Sequence, residues 1–237
     1  IKNLDLQFDA TTGGGGVTVM FEGNMILDGF VVSGGDTLNA TVPNTVITGD
    51  WLKAIQIFGN GKLNSDNAKW VGYRWMGFYG GTQGDLRNSN FTSAGSGDNA
   101  IILGYSAGTV NVNFVNNTVS GYPLGALRVG YPTNVLTVAN STFNDGDHSA
   151  IYGYPIYLMN GTKLQADNCT IPAVSLESQG AWLISKNHNR VQDDWRVYGV
   201  MNSEAADSGF KAASITGNLT LLNANAYASV FNTTYTL

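Results

Sequence analysis

The chain has 237 residues and a formal net charge of −5, and only 12% of its residues are charged, against roughly 25% in ordinary soluble domains. Few basic residues leave no broad positive surface for nucleic acid, and no apolar run approaches the roughly 18 residues of a membrane span. We therefore expect neither a nucleic-acid partner nor a membrane span. Thirty glycines and frequent Asn and Thr instead favour short strands joined by many turns.

The first third of the chain alternates apolar and polar residues as β-strands do. This alternation covers residues 4–8, 17–21 and 26–32, and glycine-rich turns interrupt it. Short strands follow near residues 46–58, where Asn60-Gly61 predicts a tight turn. No stretch shows a helical period over ten or more residues, so the sequence predicts an all-β protein.

Residues 70–79 form the densest aromatic stretch of the chain. In one interpretation Trp70, Tyr73 and Trp75 form a platform on which sugar rings stack. In the other these rings cover one side of the fold, where Arg74 lies over a ring as a cation does over an aromatic face. The sequence leaves both interpretations open.

The middle of the chain repeats itself in segments 86–105, 112–131 and 136–154, with a more divergent copy at 164–185. Each copy has an aliphatic residue four positions before an Asn-x-Thr or, in the last copy, Asn-Cys-Thr; the pairs are Leu86 and Asn90, Val112 and Asn116, Leu136 and Asn140, and Leu164 and Asn168. A unit of this length with two or three short strands suits one coil of a solenoid, because single coils cannot bury their inward face.

We therefore predict a parallel β-helix (β-solenoid) with coils of about 23–30 residues. The prediction treats residues 1–237 as a single domain, with the clearest repeats at 86–185.

The strand and turn patterns at 112–119, 136–143 and 164–171 resemble those of right-handed parallel β-helix proteins of the pectin-lyase-like group. This resemblance implies a right-handed coil, and it leaves function open because one fold hosts many functions. The composition is similar to that of archaeal surface-layer and sheath proteins.

The repeated Asn-x-Thr has two interpretations, N-glycosylation and a ladder of turn asparagines bonded from coil to coil. Asn90, Asn116, Asn140 and Asn168 occupy equivalent repeat positions, which favours a buried ladder for these four. The remaining Asn-x-Thr asparagines lie outside that register and are the candidates for glycosylation: Asn39, Asn160, Asn218 and Asn232.

The densest cluster of charge lies at 186–196. If the protein is an enzyme, the acids and bases are Asp193, Asp194, His188 and Arg190. The pair Asp193-Asp194 is similar to the paired acids of polygalacturonase-type glycosidases, but the flanking motifs of that family are missing. We therefore predict no catalytic residue, metal site or cofactor, and interpret the cluster as a charged loop or subunit contact.

Cys169 is the only cysteine. It is either a buried thiol or the partner in an intermolecular disulfide. The repeated tyrosines Tyr105, Tyr122, Tyr131 and Tyr154 are expected to form a stripe for lateral packing between subunits.

Two functions fit these patterns. The first is an extracellular structural protein that forms a homo-oligomer or polymer, as a cell-surface sheath, surface layer, filament or spike. The alternative is a carbohydrate-binding or polysaccharide-degrading β-helix with glycans as partners. Sparse charge and a poor catalytic signal favour the structural hypothesis.

Overall fold

A computed structural model describes the chain from residue 16 to residue 236 with gaps. Backbone and side chains are described for residues 16–50, 52–93, 101–122, 125–143, 156–159 and 161–171, and beyond residue 171 the backbones of nine strands are described.

The described strands form three parallel sheets, which the chain visits in turn. Sheet 1 has eleven strands in the order β1 (Thr18–Met20), β4 (Thr37–Ala40), β7 (Lys62–Asp66), β10 (Gln83–Arg87), β13 (Asn111–Val115), β16 (Val135–Ala139), β19 (Lys163–Asp167), β22 (Trp182–Lys186), β25 (Val200–Ser203), β27 (Asn218–Leu221) and β29 (Tyr235–Thr236). Sheet 2 has eight strands, β2 (Asn24–Ile26), β5 (Val46–Thr48), β8 (Lys69–Val71), β11 (Asn90–Thr92), β14 (Thr118–Ser120), β17 (Thr142–Phe143), β20 (Thr170–Ile171) and β23 (Arg190–Val191). Sheet 3 has ten strands, β3 (Phe30–Val32), β6 (Ala54–Ile57), β9 (Trp75–Phe78), β12 (Ile101–Leu103), β15 (Leu127–Val129), β18 (Ile156–Leu158), β21 (Val174–Leu176), β24 (Asp194–Val197), β26 (Phe210–Ile215) and β28 (Ala226–Ala228).

The core is the continuous interior of this stack. Along sheet 1, Leu136 pairs with Leu164, and both side chains are buried. Neighbours in the same strand alternate between the interior and the surface, as the burial pattern of β7 and β10 shows. Each inward residue therefore packs on its equivalent in the next coil, which buries the apolar face that a single coil would expose.

The predicted fold class is confirmed: the protein is an all-β parallel β-solenoid. Hydrogen-bonded neighbours in adjacent coils are separated by 24, 25 or 28 residues at Asn117–Ser141, Asn39–Asn64 and Asn140–Asn168. Other coils are shorter than the predicted 23–30 residues, since Thr18 pairs with Thr37, Lys62 with Gln83 and Leu164 with Leu183.

The register differs from the predicted alignment in one repeat. Leu86 pairs with Phe114 and not with Val112, so Asn90 stands opposite Thr118. An alignment on the Asn-x-Thr sites would pair Leu86 with Val112. The observed pairing is displaced from that alignment by two residues. No helix in the described part of the chain is long and apolar enough to cross a membrane.

Candidate functional site

A ladder of asparagines marks the turn from sheet 1 to sheet 2. Each of its members directly follows a sheet 1 strand and has a positive φ between 48° and 55°: Asn67, Asn88, Asn116, Asn140 and Asn168. Asparagine suits this turn because its short polar side chain tolerates the left-handed conformation. The Nδ2 atom of Asn116 donates to Oδ1 of Asn88 at 3.2 Å, and Nδ2 of Asn168 donates to Oδ1 of Asn140 at 2.8 Å.

The predicted ladder is confirmed at Asn116, Asn140 and Asn168, and it is wrong at Asn90. Asn88 occupies the turn position, while Asn90 is the first residue of β11. The expected burial of the ladder is also wrong, because its asparagines are exposed. Asn116, Asn140 and Asn168, which head Asn-x-Thr sites, are exposed, so burial does not prevent their glycosylation.

A second polar ladder, which the sequence analysis missed, lies inside the same corner. One residue after four of the five turn asparagines, the chain places a hydrogen-bonding side chain in the interior: Ser89, Asn117, Ser141 and Cys169; after Asn67 the buried residue is Ala68. Asn117 accepts from the Ser89 backbone N–H at 3.0 Å and donates to the Leu86 carbonyl at 2.8 Å. Its own N–H donates to the Ser141 hydroxyl at 3.1 Å. These side chains satisfy backbone groups that the bend would otherwise leave buried without partners.

Cys169 belongs to this inner ladder. It is 2% exposed, and its thiol lies 3.3 Å from the carbonyl oxygen of Asp167. Burial raises the pKa of the thiol to about 11. The buried-thiol interpretation therefore agrees with the structure, and an intermolecular disulfide, which stays a prediction, requires this corner to open.

Of the candidate glycosylation sites, only Asn39 has a described side chain. It lies half-buried on β4, and its Oδ1 accepts a hydrogen bond from Nδ2 of Asn64 at 2.7 Å. Asn218 is described only as the backbone of β27. Asn160 and Asn232 lie outside the described residues.

Two of the three rings predicted to bind sugars are core residues. Trp70 and Tyr73 are each 2% exposed. The Trp70 indole N–H donates to the Ser65 hydroxyl at 2.9 Å, and the Tyr73 hydroxyl donates to the Leu27 carbonyl at 2.8 Å. Burial, with a smaller effect of Asp28, raises the pKa of Tyr73. Neither ring therefore exposes a face on which a sugar could stack. In β8 the exposed Lys69 precedes Trp70, so the alternation of the strand directs Trp70 into the interior.

Trp75 is the ring of this group that reaches the outer surface. It is half-buried, and its indole lies over Gly77. If any other residue replaced this glycine, its Cβ atom would lie 2.5 Å from the Cζ3 atom of Trp75. Only glycine leaves this space on the outer side of β9. The indole stacks on Tyr105 with ring centroids 5.1 Å apart and an interplanar angle of 15°.

Next to Trp75, aromatic residues that are exposed or half-buried follow one another along the ends of four sheet 3 strands. We call this set the aromatic column: Phe58, Tyr79, Tyr105 and Tyr131. Ring centroids are 6.0 Å apart between Phe58 and Tyr79 and 4.8 Å apart between Tyr79 and Tyr105. Tyr105 and Tyr131 line a small cleft of about 130 Å³. Of the predicted tyrosine stripe, Tyr105 and Tyr131 are exposed, Tyr122 is buried, and Tyr154 lies outside the described residues.

On the other side of Trp75 lies an open groove of about 580 Å³ along the start of β3, β6 and β9. Val31 and Ala54 line it together with the charged residues Asp28, Lys53 and Arg74. The groove therefore has one aromatic residue, Trp75, beside charged residues of both signs.

The structure does not test the candidate catalytic cluster at 186–196. Asp193 and His188 lie outside the described residues, and Arg190 and Asp194 are described only as backbone in β23 and β24. Within the described part of the chain, no group of three or more His, Cys, Asp or Glu side chains is arranged to hold a metal ion.

No family model, curated protein or solved structure matches this chain. The fold and its surface therefore define the class, a parallel β-solenoid with outward asparagine and aromatic ladders.

Proposed function

We propose that the protein is an extracellular structural protein that assembles with copies of itself at a cell surface. The exposed apolar surface of the solenoid carries this proposal. Large apolar side chains of the described part that are more than a third exposed are Val17, Met20, Ile26, Leu52, Phe58, Tyr105, Tyr131 and Val135.

The arrangement of these residues matters more than their number. Single exposed apolar side chains are normal, whereas a contiguous patch indicates a contact surface. Phe58 and Tyr105 both pack on Tyr79, so they form one patch that crosses three coils. With only 12% charged residues in the chain, few charges have to be desolvated when such surfaces meet.

Light scattering coupled to size exclusion tests the proposal directly. The purified chain should show a mean mass that rises with concentration well above the 25.2 kDa of one copy. A mass that stays at one copy over the whole accessible concentration range contradicts self-assembly.

The cell-surface location is tested by the intact mass of native material. Glycosylation at Asn39, Asn160, Asn218 or Asn232 would add sugar masses that a glycosidase removes. An unmodified mass removes the support that these sites give to a secreted glycoprotein.

Carbohydrate binding is a second candidate, because the groove places Trp75 beside Lys53 and Arg74. On a glycan array, Trp75→Ala should abolish any retention that the wild-type chain shows. Tyr131→Ala, which removes an exposed ring outside the groove, is the matched control. Equal retention by both variants contradicts a site at the groove.

Polysaccharide degradation is the enzymatic form of that candidate, and it depends on Asp193 and Asp194 with His188 and Arg190. Replacement of both acids by Asn should abolish any cleavage of polysaccharide by the wild-type chain. Unchanged cleavage excludes these two acids.

A further inference from the structure

We propose that the turn asparagines Asn116, Asn140 and Asn168 carry N-linked glycans, which form a row along the corner between sheets 1 and 2. This inference rests on the proposed extracellular location and names the sites of modification. It is carried by the Asn-x-Thr pattern of the corner, the exposure of its asparagines, the amide hydrogens that the ladder leaves unused, and the sparse charge of the chain.

The sequence at this corner contains more than the turn itself requires. The left-handed turn favours asparagine, and the ladder has one in each of five consecutive coils. The turn does not require Thr two residues later, since Lys69 and Asn90 occupy that place in the first two of these coils. In the next three coils the place is held by Thr118, Thr142 and Thr170. Three adjacent coils therefore combine the turn asparagine with the acceptor sequence for N-linked glycans.

The asparagines of these three coils are open to solvent, as attachment of a bulky glycan requires. Asn116, Asn140 and Asn168 are all exposed. Asn39 is half-buried on β4, where its amide oxygen accepts a hydrogen bond from the neighbouring strand at 2.7 Å. The corner therefore accommodates a sugar better than the outer side of β4 does.

Attachment of a glycan is compatible with the ladder. An asparagine amide has two N–H hydrogens. Nδ2 of Asn116 and Nδ2 of Asn168 each donate to the preceding coil, and Asn140 accepts through Oδ1. In the transfer, the C1–O bond of a lipid-linked sugar phosphate breaks and a C1–N bond to Nδ2 forms. One Nδ2 proton is released and the phosphate leaves with the lipid carrier, so the second amide hydrogen remains for the ladder.

A row of glycans also suits the composition of the chain. Only 12% of the residues are charged, so few charged side chains are present to hydrate the surface. Neighbouring coils of a parallel sheet are about 4.7–4.9 Å apart, which places three glycans within about 10 Å along the solenoid. Because glycans on asparagine are bulky and solubilising, the row would hydrate this corner.

Site mapping by mass spectrometry of peptides from native material is the first test. We expect a glycan on each of Asn116, Asn140 and Asn168. The exposed turn asparagines Asn67 and Asn88, which have no Thr two residues later, are internal controls and should be unmodified. An unmodified site contradicts the proposal at that coil, and three unmodified sites overturn it.

The same measurement separates this inference from the proposed function. Glycans found only on Asn39, Asn160, Asn218 or Asn232 would refute the row and leave the extracellular location supported. A chain without any glycan removes both the row and that support, whereas self-assembly is still decided by light scattering.

Substitution of Thr142 tests one site without changing the turn. Thr142→Ala removes the acceptor sequence and retains Asn140, while Thr142→Ser is the matched control because Asn-Ser-Ser is still an acceptor. Produced in the native host, the alanine variant should lose the mass of one glycan and the serine variant should retain it. An unchanged mass of the alanine variant overturns modification of Asn140.

A gain of modification is the reverse test. Asn90→Thr gives Asn88 the acceptor sequence, and it places at this register position the residue type that Thr118 supplies in the next coil. Asn88 should then carry a glycan in the same site mapping. If Asn88 remains unmodified, the ladder turn does not accept glycans and the proposal fails.

Discussion

Asn117 illustrates why the corner between sheets 1 and 2 requires a particular side chain. The backbone bends there, and the N–H of Ser89 and the carbonyl of Leu86 lose the partners that a straight ladder would provide. Asn117 supplies one acceptor and one donor at 3.0 and 2.8 Å. It is 1% exposed, so water cannot replace it.

We therefore expect Asn117→Ala to lower the free energy of unfolding by about 2–4 kcal/mol, since it leaves two buried backbone groups unsatisfied. Asn113→Ala, which removes an exposed amide from the outer side of β13, should cost less than about 1 kcal/mol. Urea unfolding measures both values. Equal losses would show that the inner ladder contributes no more than a surface bond.

Cys169 gives the protein a pH dependence on the alkaline side. Burial raises the pKa of its thiol from 9.0 to about 11, so the fold favours the neutral form. This stabilisation is complete below pH 9 and disappears as the pH rises through 11. Burial also raises the pKa values of Tyr73 and Tyr122, so these residues add to the loss at high pH.

Cys169→Ser isolates the contribution of the thiol, because Ser89 and Ser141 already occupy the equivalent positions in other coils. We expect the free energy of unfolding to fall less between pH 8 and pH 11 in this variant than in the wild type. Urea titrations under reducing conditions provide the comparison. The same fall in both proteins would mean that the thiol does not titrate in the fold.

At the scale of the elements, aromatic side chains connect strands of sheets 1 and 2 through the interior. Phe114 of β13 stacks between Phe91 of β11 and Phe143 of β17, with centroids 6.3 and 5.9 Å away. Trp70 of β8 continues the stack beyond Phe91 at 6.5 Å. The stack therefore runs along the solenoid within its interior.

Phe114→Ala should cost about 3–5 kcal/mol, because a fully buried ring leaves a cavity between its two neighbours. Phe58→Ala removes the same side chain from the surface and should cost about 1 kcal/mol or less. Thermal and urea unfolding of the two variants measure the difference. Similar losses would contradict the placement of Phe114 in the interior stack.

The strand pattern and the repeat were sufficient to predict a parallel solenoid, because inward aliphatic residues such as Leu136 and Leu164 recur at one position per coil. The register of the copy at Leu86 was not predictable in the same way. Asn88 and Asn90 are both asparagines two residues apart, so two alignments compete. Only the pairing of Leu86 with Phe114 separates them.

The inner ladder and the burial of Trp70 were missed for a related reason. Polar residues such as Ser89 and Asn117 suggest a surface position unless the bend of the backbone is known. The available signal was their constant place, one residue after a turn asparagine. For Trp70, the signal was its position between Lys69 and Val71 in a strand.

At the scale of the whole molecule, the described coils repeat surface features along one direction. Three parallel sheets hold the outward asparagines and the aromatic column in line. In the assembly that we propose, these repeated features are the surfaces through which copies contact one another.

Electron microscopy of native material tests self-assembly most directly. We predict filaments or arrays in which many copies contact one another. Native material that consists only of dispersed single copies would contradict the account.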